Sequence, residues 1–131
     1  MKKSLSLKLI VFSLLLVTTN FSYSEDPEFK KGTGGSSTVA GVASDASGSE
    51  SSAFGYKNTA SGRYSSAFGH GNTASGVDSS AFGSEYKVTG NSSGAFGVGR
   101  ATWNSTTKVF DYADINEGKN SYMFGNYNKI A

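Results

Sequence analysis

SSAFGYKNTASGRY (residues 51–64) is followed directly by SSAFGHGNTASGVD (65–78), SSAFGSEYKVTGNS (79–92) and a fourth opening, SGAFGVG (93–99). Ala53, Ala67, Ala81 and Ala95 recur at fourteen residues, as do Phe54, Phe68, Phe82 and Phe96. Gly55, Gly69, Gly83 and Gly97 keep the same step, and so do Gly62, Gly76 and Gly90. Fixed-period self-similarity is the signature of a solenoid, in which each repeat buries its apolar face against its neighbours. The phase runs outward from this block in both directions. Val39-Ala40-Gly41 precedes it, Val109-Phe110-Asp111 and Met123-Phe124-Gly125 follow it, and Gly118 matches Gly62. Counted by fourteens, residues 37–131 hold six coils and most of a seventh, without an insertion.

Within each coil a half-period of seven appears, Ala53-Phe54-Gly55 being echoed by Ala60-Ser61-Gly62. A heptad helix needs large apolar residues at two positions and helix formers elsewhere. The recurring residues here are Ala, Gly and Ser, and each Gly costs a helix about 1 kcal/mol. Strands fit instead. Ala53 and Gly55 fall on one face, Ser52 and Phe54 on the other. Turns are expected near residues 56–58 and 63–64, with Gly and Asn supplying their unusual backbone angles. The prediction is an all-β fold, a thin parallel β-roll whose coils stack at ~4.8 Å and whose small inward residues let two sheets approach closely.

Such an interior removes little apolar area from water, and at ~25 cal/mol per Å² that is a weak core. Phe54, Phe68, Phe82, Phe96, Phe110 and Phe124 meanwhile form one ladder in phase. The ladder is either the roll's own interior or a subunit interface. Six exposed rings exceed the apolar patch usual on a monomer, which favours the interface.

The remaining chain sets the context. Residues 1–24 combine a basic start, the apolar run 9–17 and small Ser22 and Ser24 before the expected cut at Glu25, the pattern of a secretory signal peptide. Residues 25–36 (EDPEFKKGTGGS) show no apolar period and read as a flexible lead-in. The formal charge of +2 counts Lys2, Lys3 and Lys8; without them nine basic residues face ten acidic ones. A near-neutral surface argues against nucleic acid as a partner. With no cysteine, neither a disulfide nor a thiolate metal site is possible.

The coil SSAFGxxxTASG, at residues 51–62 and 65–76, resembles the head repeat of trimeric autotransporter adhesins, with Phe where that family usually has Ile or Val. The resemblance spans residues 37–131. It implies a left-handed parallel β-roll, a homotrimer with the Phe ladder facing its axis, and display on a Gram-negative cell surface. It further implies binding to host cell-surface receptors or extracellular-matrix proteins, or self-aggregation. The family's heptad stalk and its C-terminal membrane anchor have no counterpart, and the chain stops in mid-coil at Ala131. A fragment or truncated reading frame is therefore expected, exported but without its own anchor.

No catalytic site is expected. His70 is the only histidine, and one imidazole without a second ligand in phase makes no metal site. Asp45, Asp78, Asp111 and Asp114 do not recur as a calcium-binding roll requires. No cofactor is implied. Residues 98–119 depart from the motif while keeping its length, bringing in Arg100, Trp103 and Tyr112. These are residue types favoured at binding hot spots. The segment is either a recognition surface or a drifted coil whose aromatics cap or pack the roll. The turn residues Tyr56, Lys57, Arg63, Tyr64, Glu85, Tyr86 and Lys87 make a second candidate surface. The expected function is a non-enzymatic adhesin head, with a structural spacer or self-association element as the alternative.

Overall fold

Each coil contributes one long and one short strand, and the two kinds segregate into two sheets. A computed structural model describes residues 28–131; the expected signal peptide, residues 1–24, lies outside them. The long strands β2 (Thr38–Val42), β4 (Ser52–Tyr56), β6 (Ser66–His70), β8 (Ser80–Ser84), β10 (Gly94–Val98) and β14 (Tyr122–Phe124) stack in parallel in that order. The short strands β3 (Asp45–Ala46), β5 (Thr59–Ala60), β7 (Thr73–Ala74), β9 (Lys87–Val88) and β13 (Ile115–Asn116) form the facing sheet. The fold is a parallel β-solenoid, all-β among the described residues.

Pairing follows the sequence period: Ala53 sits on Ala67 and Ala67 on Ala81, with Phe54, Phe68 and Phe82 in the same register. Between the sheets lies a column of alanines (Ala46, Ala53, Ala60, Ala67, Ala74, Ala81 and Ala95), all fully buried, with Val39, Val88 and Met123 at or near its ends. The Phe ladder points the other way. Phe54, Phe68, Phe82 and Phe96 are half-buried and Phe124 is exposed on the outer face of the long-strand sheet, so the ladder is not the interior of the roll.

The narrow interior leaves backbone carbonyls that need donors, and buried asparagines supply them. The Asn72 side-chain amide donates to Phe68 O (2.9 Å) and Gly83 O (2.8 Å), while its oxygen accepts Tyr86 N at 3.1 Å. Asn58 does the same one coil earlier. Ser51 and Ser65 each return a hydroxyl to the carbonyl three residues back, at 2.7 Å. These bonds satisfy polar groups that would otherwise cost ~1–3 kcal/mol each when buried.

The turns differ from expectation in one respect. Left-handed φ values do recur on both sides of the short strands, at Ala43, Lys57, Gly71 and Glu85 before them and at Glu50, Tyr64, Asp78, Ser92 and Asn120 after them, so the turns rest mainly on residues other than Gly; the second series shows what holds them. The N–H of each donates to a carbonyl of the neighbouring coil, as Tyr64 N does to Ser49 O (2.9 Å) and Asp78 N to Arg63 O (2.9 Å). Coil-to-coil bonding holds the backbone there whatever the side chain, at a cost of ~1–2 kcal/mol per residue.

Two segments are organised differently from the sequence reading. Part of the expected flexible lead-in is strand β1 (Glu28–Lys31), which runs antiparallel along β2 and covers that sheet edge. The second difference is larger. Ala95 pairs with Met123 and Lys87 with Ile115, each a step of 28 residues, so one whole period is missing from the stack. That period leaves the roll as an antiparallel hairpin, β11 (Ala101–Asn104) and β12 (Val109–Tyr112). The expected coil around Val109-Phe110-Asp111 is therefore not a coil, and the roll has one level fewer than a count by fourteens gives.

The reason lies in the glycines. A Cβ on Gly90 would stand 2.1 Å from Gly118 O, and one on Gly97 would stand 2.0 Å from Gly125 O. Stacking at this distance tolerates only glycine. At the corresponding positions of the missing period the chain carries Asn104 and Asp111, whose side chains forbid the approach. Gly118 and Gly125 restore it, and the stack resumes.

Candidate binding surface

The hairpin is a built element, folded back over the short-strand sheet. Asn104 sets its turn, its side-chain oxygen accepting Thr106 N (3.0 Å) and Thr107 N (3.1 Å), and Lys108 closes it with φ 60°. At the base, Arg100 and Asp114 occupy one phase of the period on either side of the insertion. Arg100 Nε donates to Asp114 Oδ2 and its Nη2 to Oδ1, both at 3.0 Å. Asp114 is fully buried. Its hydrogen bonds from Arg100 hold its carboxyl below the ordinary carboxylate range, against the opposing effect of burial. Those same bonds raise the Arg100 pKa.

Aromatic residues seat the hairpin on the roll. The Tyr112 hydroxyl donates to Gly71 O at 2.7 Å and pairs with the Thr73 hydroxyl at 2.9 Å. Burial pushes its pKa up, keeping the phenol protonated. Phe110 packs edge-on to His70 (5.9 Å between centroids) and to Trp103 (5.0 Å). Lys57 Nζ lies 3.5 Å from the centre of the Trp103 ring, a cation–π contact that ties a roll turn to β11. Glu85 accepts the Ala101 N–H at 3.1 Å.

The candidate residues consequently separate. Phe54, Phe68, Phe82, Phe96 and Phe124 form a continuous stack with centroid spacings of 4.7, 4.8, 5.2 and 5.1 Å. Phe29 of β1 leans on its first ring at 6.1 Å. Phe110, expected as a sixth rung, belongs to the hairpin instead. Trp103 and Tyr112 are brought together with it, while Arg100 is committed to Asp114. Tyr56 stacks on His70 at 5.5 Å near the hairpin, whereas Tyr64 stands on a different turn beside Arg63.

Tyr86, expected on the surface, is fully buried. It takes the place of Asn58 and Asn72 in the next coil, and its hydroxyl donates to Gly125 O at 2.8 Å across the level where the hairpin departs. No receptor reaches it. Its phase, shared with two asparagines of the ladder, was the signal for burial. Lys108, one of the charges in the segment that departs from the motif, lies in a turn created only by the hairpin.

Among the described residues no three of His, Cys, Asp or Glu come together as metal ligands would. No helix there is long and apolar enough to cross a membrane.

Comparison with known proteins agrees with the architecture. The YadA head domain repeat matches residues 60–85 in two copies. No curated protein and no solved structure matches the chain. Residues 60–85 run from the last residue of β5 through β6, β7 and β8 and their turns, the most regular part of the roll. Residues 60–85 thus match YadA-type head repeats, and they lie within the parallel β-roll.

Proposed function

We propose that this chain is the head of a trimeric surface adhesin that engages host receptors or extracellular matrix. The observation that carries the reading is the Phe stack. Five rings lie face to face along the outer side of the long-strand sheet, opposite the alanine core, and its last rung, Phe124, is 70% exposed. An aromatic stripe of this length on a soluble chain calls for a partner surface. Three copies related by a rotation axis would bury one another's stripes with a single repeated contact. The short-strand sheet and the hairpin lie on the other side of the roll, so they would face outward in such a trimer. Three identical weak sites on one rigid body raise avidity without any new contact.

Light scattering coupled to size exclusion on the purified chain tests the assembly. A trimer is expected, reverting to monomer in the Phe68→Ser/Phe82→Ser variant. A folded wild-type monomer would remove the basis for the reading. Retention of mammalian cells or matrix proteins on the immobilised chain then tests adhesion. Self-capture of the chain without capture of either would favour the self-association element instead.

A further inference from the structure

Between the hairpin and the short-strand sheet runs a groove of ≈ 510 Å³. Its floor is a column of side chains from successive coils. Thr59, Thr73 and Lys87 share one phase of β5, β7 and β9 and stand in register, at steps of ~4.8 Å. Trp103 and Tyr112 form its wall, Lys108 lies at the hairpin end and Lys57 at the preceding roll turn. Three ammonium groups from separate parts of the chain thus line one groove, and no carboxylate lines it. None of the three makes an ion pair among the described residues. Glu85, the acidic residue that reaches the hairpin, has one oxygen on Ala101 N and the other 4.0 Å from His70 Nδ1.

We propose that this groove binds an acidic glycan, an extended saccharide bearing carboxylate or sulfate groups. Asp45 stands one rung beyond Thr59 in the same column, outside the groove lining. Positive charge gathered in a cleft whose lining holds no carboxylate concentrates anions there. The groove also offers what a sugar needs besides charge, hydroxyls on its floor and aromatic surface on its wall. Its polar rungs recur at the coil spacing, a distance comparable with the advance per ring of an extended glycan. An acidic peptide fits less well. The floor is a sheet face whose backbone groups already pair from coil to coil, so a peptide finds no edge to extend. The biological setting rests on the adhesin reading, but the binding chemistry lies within one chain.

The test is isothermal titration of the purified chain with four probes: a heparin-derived hexasaccharide, a hyaluronan hexasaccharide, maltohexaose and a hexaglutamate peptide. Binding of either acidic saccharide but not of maltohexaose is expected, weakening as salt rises. The two acidic saccharides distinguish sulfate from carboxylate as the recognised group. Lys87→Gln/Lys108→Gln should weaken it at least tenfold while leaving the circular dichroism spectrum and the mass in solution unchanged. Lys119→Gln, away from the groove, should leave it intact. Equal binding of maltohexaose, binding of hexaglutamate alone, no binding at all, or full binding by the double lysine variant would each overturn the proposal. Cell or matrix capture without acidic-saccharide binding would sink the groove and spare the adhesin reading. Saccharide binding without capture would do the reverse.

Discussion

Gly71 lies directly beneath Phe110: a Cβ at residue 71 would stand 2.9 Å from both Cε2 and Cζ of the Phe110 ring. The neighbouring coils carry Lys57 and Glu85 at this phase, so the missing side chain is local to the place where the hairpin lands. Gly71 also has φ +63°, a region that costs other residues ~1–2 kcal/mol. Gly71→Ala should therefore destabilise in two separable parts. Urea denaturation should show a loss of ~2–3 kcal/mol in the wild-type background and only the backbone part, ~1–2 kcal/mol, beside Phe110→Ala. Equal losses in both backgrounds would mean the ring does not rest on Gly71.

Glycines at the coil contacts should be far less forgiving than those at the rim. A Cβ on Gly62 would meet Gly76 O at 2.0 Å, whereas one on Gly35 meets nothing nearer than Ser49 Oγ at 3.5 Å. Gly62→Ala should cost on the order of 4 kcal/mol or prevent folding, and Gly35→Ala should lie within about 0.5 kcal/mol of wild type. Expression yield and thermal melting of the two variants, side by side, decide it.

The asparagine ladder predicts a loss from unpaired carbonyls. Asn72→Ala strips donors from Phe68 O and Gly83 O and an acceptor from Tyr86 N. The expected cost is ~3 kcal/mol or more, since each buried group left unpaired is worth ~1–3 kcal/mol. A denaturation midpoint unchanged from wild type would show that water replaces the amide.

Stability should fall in acid through the Arg100–Asp114 pair. The Asp114 pKa is lower folded than unfolded, so the pair stabilises above the unfolded value of ~3.9. That contribution is lost as pH falls below ~3.9 through the folded value. Asp114→Asn removes this titration while preserving the shape used by Asn58 and Asn72. Its denaturation midpoint should decline less than wild type between pH 5 and pH 2. Parallel declines would assign the acid lability to other carboxylates.

Turn strain should be recoverable. Glu50 holds φ 56° on an exposed turn, and Glu50→Gly removes a clash worth ~1–2 kcal/mol while adding ~0.5–1 kcal/mol of unfolded-chain freedom. A net gain of up to about 1.5 kcal/mol is expected in the melting curve. A loss would mean that the Glu50 side chain contributes more than its backbone costs.

The period, the parallel stacking, the inward alanines and the in-phase Phe column are all legible in the chain alone. Each is set by short-range rules, since coil follows coil at a constant step and a strand alternates its faces. Tertiary structure decided where the period is abandoned. The departure adds one full period of fourteen residues, so counting passes over it, and only the approach of Gly90 to Gly118 and Gly97 to Gly125 shows why Asn104 and Asp111 cannot stack. The absent glycines were legible; what they cause was not. Everything built on that departure is long-range: Phe110 against Gly71, Arg100 against Asp114, Tyr86 reaching Gly125, and Lys57, Lys87 and Lys108 around one groove. No local pattern encodes such contacts, because the residues meet only after the roll has stacked beneath the hairpin.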